Sequence, residues 1–176
     1  MKTIDIDSRQ NSYQILIENN LLNHLKDHLD LQRFYVIIAD DKIPSIYIDF
    51  VKAATINNLL ITFPSGEQSK SFYEYQRIIS LLQENNIKRD ACIIALGGGV
   101  TGDLAGFIAS TYLRGIDYIQ IPTSLLAQID SSVGGKVAIN TDLAKNSIGS
   151  FYPPIKVFID PQTLQTLSTR HFNNGM

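Results

Sequence analysis

The run from Gly97 to Asp103, GGGVTGD, constrains the fold of this chain more than any other stretch. It follows the short apolar segment Ala91 to Leu96 and leads into Leu104, Ala105, Phe107 and Ile108, whose spacing fits one face of a helix. Strand, tight glycine turn and helix in that order are the repeating unit of layered α/β domains. Glycines at such a turn let the backbone adopt positive φ and approach a bound group closely. Unpaired N–H groups and the helix dipole there favour an anion such as a diphosphate.

The rest of the chain fits the same architecture. Apolar strand-like runs at Thr3 to Ile6, Tyr13 to Ile17, Phe34 to Ala39, Leu59 to Phe63, Ala91 to Leu96, Tyr118 to Ile121 and Val157 to Ile159 alternate with helix-like segments. That alternation predicts a Rossmann-like α/β domain with a largely parallel sheet, the first two strands forming a hairpin. A helix from about Ser71 to Glu84 places Phe72, Tyr75, Ile78, Ile79 and Leu82 on one stripe, read as core packed on the sheet. Pro64 and Gly66 break the chain before it, so the loop SGEQSK falls at a strand's C-terminal end, the edge where open α/β sheets bind ligands.

Length and composition agree. The 176 residues, 44% hydrophobic and 18% charged, suit one domain with a sizeable core, spanning 1–176. A net charge of -2 gives no reason to expect a nucleic-acid or acidic-membrane partner. No apolar stretch approaches the roughly 20 residues that cross a bilayer, and the first residues lack a signal-peptide core, so a cytoplasmic location is expected. The single cysteine, Cys92, sits in a predicted buried strand and is read as packing.

Gly97 to Gly102 satisfies G-x-G-x-x-G, a weak signal for a dinucleotide by itself, and it comes after several elements instead of at the first strand–helix turn. Ile121 leads only to Pro122 and Thr123, so the ribose carboxylate must come from an earlier strand. Asp40, directly after the Phe34 to Ala39 run, is the natural candidate, with Asp41 an ordinary solvated neighbour. A second segment, QIDSSVGGKVAINTDLAKN, concentrates Asp130, Lys136, Lys145 and Asn146 among small residues, as an active-site wall does. Lys136 follows two glycines, but Val137 stands where a phosphate-binding P-loop needs Ser or Thr. His24 and His28, four apart on a predicted helix, have metal-binding spacing but no evident third ligand, and are read as an exposed face. His171 is read as a surface residue.

These segments, with SGEQSKSF, RGIDYIQIPTSLLA, KNSIGSFYPP, VFIDPQTLQTL and the final FNNGM, resemble the 3-dehydroquinate synthase family over nearly the whole chain. The resemblance implies a role in the shikimate pathway of aromatic amino-acid biosynthesis and NAD⁺ as cofactor. It implies that NAD⁺ is held by Asp40, by Ser65, Glu67 and Lys70, and by Gly98, Gly99, Val100, Thr101, Gly102 and Asp103. Thr123, Ser124, Lys136, Lys145, Thr163, Leu164, Gln165 and Thr166 are implied as further cofactor contacts. Asp130, Lys136, Lys145 and Asn146 are implied to face the substrate, a sugar phosphate, and Arg114 to reach across a homodimer interface toward a neighbour's phosphate site. Membership further implies a phosphate-eliminating carbon–oxygen lyase with a divalent metal, zinc or cobalt.

In that family the motif ending this chain runs on into a metal-binding glutamate, and two histidines follow in a helical C-terminal domain. The expectation is therefore an NAD-binding half that folds, binds NAD⁺ weakly and, alone, turns over no substrate. Other readings are another sugar-phosphate cyclase, half of a metal-dependent alcohol or glycerol dehydrogenase, or a non-catalytic nucleotide-binding module.

Overall fold

The computed structural model describes residues 1–7 and 12–167. Among the described residues nine strands and three α-helices follow in chain order. They are β1 (Lys2–Ile6), β2 (Tyr13–Ile17), β3 (Phe34–Asp40), α1 (Ser45–Ala54), β4 (Asn57–Phe63), α2 (Phe72–Glu84), β5 (Cys92–Gly97), α3 (Gly99–Thr111), β6 (Asp117–Pro122), β7 (Lys136–Ile139), β8 (Ile148–Phe151) and β9 (Lys156–Ile159). Short 3₁₀ turns and one π-turn, Ala127–Ser131, fill the connections.

Seven strands form one sheet in the order β1-β2-β9-β6-β5-β3-β4, parallel throughout except for β1, which pairs antiparallel with β2 as the expected hairpin. Both faces of the central strands are covered, which is why their sequences read as continuous apolar runs. Strand periodicity sends alternate residues to opposite sides. Val36, Ile38, Ile93 and Ala95 join Ile78, Leu82, Leu104 and Ile108 under α2 and α3, whereas Tyr35, Ile37, Cys92 and Ile94 join Leu21, Leu25 and Val51 beneath α1.

Helix α2 begins where the sequence places it, because Ser71 Oγ accepts from the Glu74 amide (3.3 Å) and caps the first turn. Its stripe is narrower than expected. Ile78 and Leu82 are fully buried and Tyr75 and Ile79 partly so, but Phe72 in the first turn is 51% exposed. The segment carrying His24 and His28 is not one regular helix either: at His24 φ is -127°, which breaks the four-residue register. His24 is exposed, and the His28 ring lies 5.9 Å from that of Phe158. His171 lies outside the described residues. The antiparallel pair β7–β8 is a second, small sheet that the sequence did not announce.

At the end of the sheet opposite the glycine turn, Arg33 gathers three segments. Its guanidinium donates to the Asp90 carbonyl (2.6 Å), the Ala91 carbonyl (3.2 Å) and Asp117 (2.7 Å), fastening the starts of β5 and β6. Among the described residues no helix is long and apolar enough to cross a membrane.

Two outcomes follow from the packing. Ile94, fully buried at mid-sheet, should cost about 3 to 4 kcal/mol when replaced by alanine, read from urea denaturation; a loss under about 1 kcal/mol would place it outside the core. Burial pushes the Cys92 thiol up to about 12, so iodoacetamide at neutral pH should leave it unmodified until the chain is unfolded.

Candidate active-site cleft

The chain leaves β3 through α1 to β4 on one side, then returns through α2 to β5 on the other side of β3. Connections from β3 and β5 therefore diverge, opening a crevice beyond their C-terminal ends. Asp40 ends β3, Gly97 to Gly99 lie at the end of β5, and Thr123 and Ser124 follow β6. A cleft of about 620 Å³ occupies this position. Its walls include Asp40, Tyr47, Ser65, Glu67, Gly98, Gly99, Val100, Thr101, Thr123, Ser124 and Thr166.

Helix α3 points its start into that cleft. Gly98 occupies the cap position and no side chain caps it, while the first backbone bond made from inside the helix is Gly102 N to Gly98 O at 3.0 Å. The amides of Gly99, Val100 and Thr101 thus lack the intrahelical partners that later residues have, at the positive end of a 13-residue helix. The glycines keep this approach open. A Cβ on Gly98 would meet Ser124 Oγ at 3.2 Å and one on Gly99 would meet Ser131 Oγ at 3.2 Å, while a Cβ on Gly102 would press Gln120 Oε1 at 2.7 Å. Gly102 is therefore a packing glycine, buried against β6.

Around the helix start, Asp40 takes the Lys42 amide on one oxygen (2.9 Å) and lies 3.5 Å from Thr101 Oγ on the other, leaving acceptor capacity toward the cleft. Asp41 does more than solvate: its carboxylate accepts from the Ser65 amide (2.9 Å) and ties the SGEQSK loop to the end of β3. Gly66 in that loop has φ +122°, a conformation only glycine adopts without strain.

Lys70 is not the surface cation its neighbours suggest. It is 4% exposed, with Nζ 2.6 Å from Asp103, bonded to Asn146 Oδ1, and 3.8 Å from Glu67. A buried ammonium needs such partners, and these three come from a loop, from α3 and from the β7–β8 connection. Desolvation raises the Asp103 carboxyl above its ordinary value, more than the hydrogen bond and charge of Lys70 lower it.

A second cavity of about 520 Å³ adjoins Asp103 and is walled by Asp130, Ser131, Lys136, Asn146, Ser150 and Phe151 among others. The π-turn Ala127–Ser131, a helix form frequent at functional sites, presents Asp130 there, and Asn146 sits in it with φ +53°.

The remaining candidates lie apart. Lys145 is exposed in the β7–β8 loop and Arg114 on the turn after α3, where Leu113 and Arg114 have φ +49° and +65°; neither lines either of these two cavities. Thr163 is buried, its hydroxyl donating to the Asp160 carbonyl (2.8 Å) and accepting from Gln128 Nε2 (3.0 Å), so it braces the wall without facing the cleft. Leu164 and Gln165 line neither cavity, whereas Thr166 lines the first and bonds Tyr47. Tyr47, Leu126, Ser131 and Phe151 are wall residues without a sequence signal, placed by α1, the π-turn and β8. Among the described residues no group of three or more His, Cys, Asp or Glu could hold a metal ion.

Comparison with known proteins gives this geometry a context. A family profile described as "3-dehydroquinate synthase N-terminal" matches residues 60–174. The chain is 45% identical to the 3-dehydroquinate synthase of Clostridium kluyveri, covering 100% of this chain and 51% of that protein. To that of Pseudoalteromonas translucida it is 49% identical, covering 99% and 49%. A crystal structure of 2-deoxy-scyllo-inosose synthase complexed with carbaglucose-6-phosphate, NAD⁺ and Co²⁺ superposes with a TM-score of 0.91 at 26% identity, over 99% of this chain and 49% of that one. The chain spans about half the length of the curated relatives it matches.

The raised Asp103 carboxyl has a defined pH signature. A group whose folded value exceeds its unfolded one stabilises most below the unfolded value, about 4 for aspartate, and loses that contribution as pH climbs through the folded value. Relative to the parent, Asp103→Asn should therefore gain stability as pH rises from about 4, read from urea midpoints across that range. An offset independent of pH would contradict it.

Proposed function

Because the chain belongs to the 3-dehydroquinate synthase family, we propose that it forms the NAD⁺-binding part of an enzyme that converts 3-deoxy-D-arabino-heptulosonate 7-phosphate to 3-dehydroquinate and phosphate, within the shikimate pathway. One observation carries this reading: an uncapped, glycine-rich helix start opens into a cleft at the sheet's switch point, with the Asp40 carboxylate beside it. Identity of 45–49% to dehydroquinate synthases, against 26% to the inosose synthase, supports this substrate over that of another sugar-phosphate cyclase.

In this reading the amides of Gly99, Val100 and Thr101 hold the diphosphate by direct donation and helix dipole. Asp40 accepts the hydroxyls of a ribose, while Ser65, Glu67, Thr123, Ser124 and Thr166 supply donors and acceptors along the same wall. The close fit of Gly98 to Ser124 and Gly99 to Ser131 suits a group pressed against bare backbone. Bound there, NAD⁺ would accept hydride transiently from a secondary alcohol and return it, acidifying the neighbouring C–H so that phosphate can leave.

The chain's own residues then prepare the second cavity. Lys136, the cation in its wall, pairs with an anionic group of the substrate, and Asp130 and Asn146 orient its hydroxyls. Asp103, shared between Lys70 and this cavity, holds a carboxylate oxygen where a substrate or cofactor hydroxyl can donate. Lys145 completes the set by swinging its flexible stem from the loop, and Arg114 serves the neighbouring copy in a homodimer. The described residues bring together no set of three or more His, Cys, Asp or Glu that fits a divalent metal.

Isothermal titration with NAD⁺ tests the reading. The chain should bind NAD⁺, and Asp40→Ala should weaken it about tenfold, the loss of a carboxylate–hydroxyl pair, without a matching fall in melting temperature. Equal affinity in the two proteins would remove Asp40 from the site, and no binding by the parent would sink the proposal.

A further inference from the structure

Asn140, the residue just after β7, lines neither cavity, yet its peptide unit and side chain meet both walls. Its Nδ2 donates to Glu67 Oε1 at 2.7 Å, its Oδ1 accepts the Asn146 amide at 2.8 Å, and its own amide donates to the Lys70 carbonyl at 2.7 Å. One side of this bridge is the loop before α2 that walls the first cleft; the other is Asn146 in the second cavity, held at φ +53° with its side chain on the Lys70 ammonium.

Asparagine suits the position chemically. A side-chain amide carries its donor and its acceptor on separate atoms, so Nδ2 can serve a carboxylate while Oδ1 serves a backbone N–H. Between those two residues the connection braces itself, with Thr141 N donating to the Ala144 carbonyl (2.9 Å) and Ala144 N to Thr141 Oγ (3.2 Å), and at its end Lys70 Nζ donates to Asn146 Oδ1. A left-handed non-glycine residue is held by its surroundings, and here the Asn146 amide donating to Asn140 Oδ1 restrains the backbone while Lys70 restrains the side chain. We infer that Asn140 is a positioning residue that fixes Glu67 on the cofactor wall and Asn146 on the substrate wall in one mutual arrangement. This rests on the function proposed above.

The test uses NAD⁺ as probe on the intact chain, with amide hydrogen exchange read by NMR. Asn140→Ala should weaken NAD⁺ binding roughly fivefold and speed exchange at the Asn146 amide roughly tenfold. Asn140→Asp keeps an acceptor for Asn146 but sets a second carboxylate against Glu67; it should retain the protection of Asn146 and still lose NAD⁺ affinity. In a Glu67→Ala background, Asn140→Ala should add nothing to the loss. Asn58→Ala, which removes bonds to the Lys52 and Thr55 carbonyls away from the cleft, should lower the melting temperature without changing NAD⁺ affinity. If Asn140→Ala does not fold, the isosteric Asp variant carries the test. Unchanged affinity in both Asn140 variants, or unchanged Asn146 exchange in Asn140→Ala, overturns the inference while a binding parent leaves the function standing. A parent that binds no NAD⁺ overturns the function and leaves Asn140 nothing to position.

Discussion

Three amides at the start of α3, left without partners by the helix and without a capping side chain, set the terms for the rest of this structure. Among the described residues nothing satisfies them from outside: glycines remove the side chains that could crowd them, and the divergence of the chain around β3 and β5 leaves open space in front. An end so arranged is destabilising in an empty protein relative to a capped one, and favourable once an anion sits there. The sheet supplies rigidity in compensation, with β5 buried along its whole length, β3 and β6 buried except at their ends, and Arg33 fastening the starts of β5 and β6.

Buried charge links the two cavities. Lys70 leaves water only because Asp103, Asn146 and Glu67 surround it, and each of them also borders a cavity. Removing any one partner would leave an ammonium short of a counter-charge or acceptor in a low-dielectric place, a costlier event than losing an exposed pair. The position of the first cleft's wall is thereby coupled to that of the second cavity through a few contacts, and the raised Asp103 carboxyl records how far burial has gone there.

Much of this was legible in the sequence. The apolar runs located all seven strands of the main sheet to within a residue or two, most plainly β3, β5 and β6, whose interiors are covered on both faces and leave no polar alternation. GGGVTGD, with Asp40 after its own strand, gave the cleft. What was hidden depended on distant partners. The strand Lys136–Ile139, preceded by two glycines, carries too little periodicity to identify, and the burial of Lys70 is set by Asp103, 33 positions away. Asp41 looked like a solvated neighbour because its partner, the Ser65 amide, is 24 residues on. Thr163 showed its hydroxyl in the sequence but not that Asp160 and Gln128 already occupy it.

The most direct test of the central claim is a crystal structure of the chain with NAD⁺. The account predicts diphosphate oxygens within about 3 Å of the Gly99, Val100 and Thr101 nitrogens and ribose hydroxyls on Asp40. NAD⁺ bound elsewhere, or a cleft closed by side chains with Asp40 turned away, would contradict it.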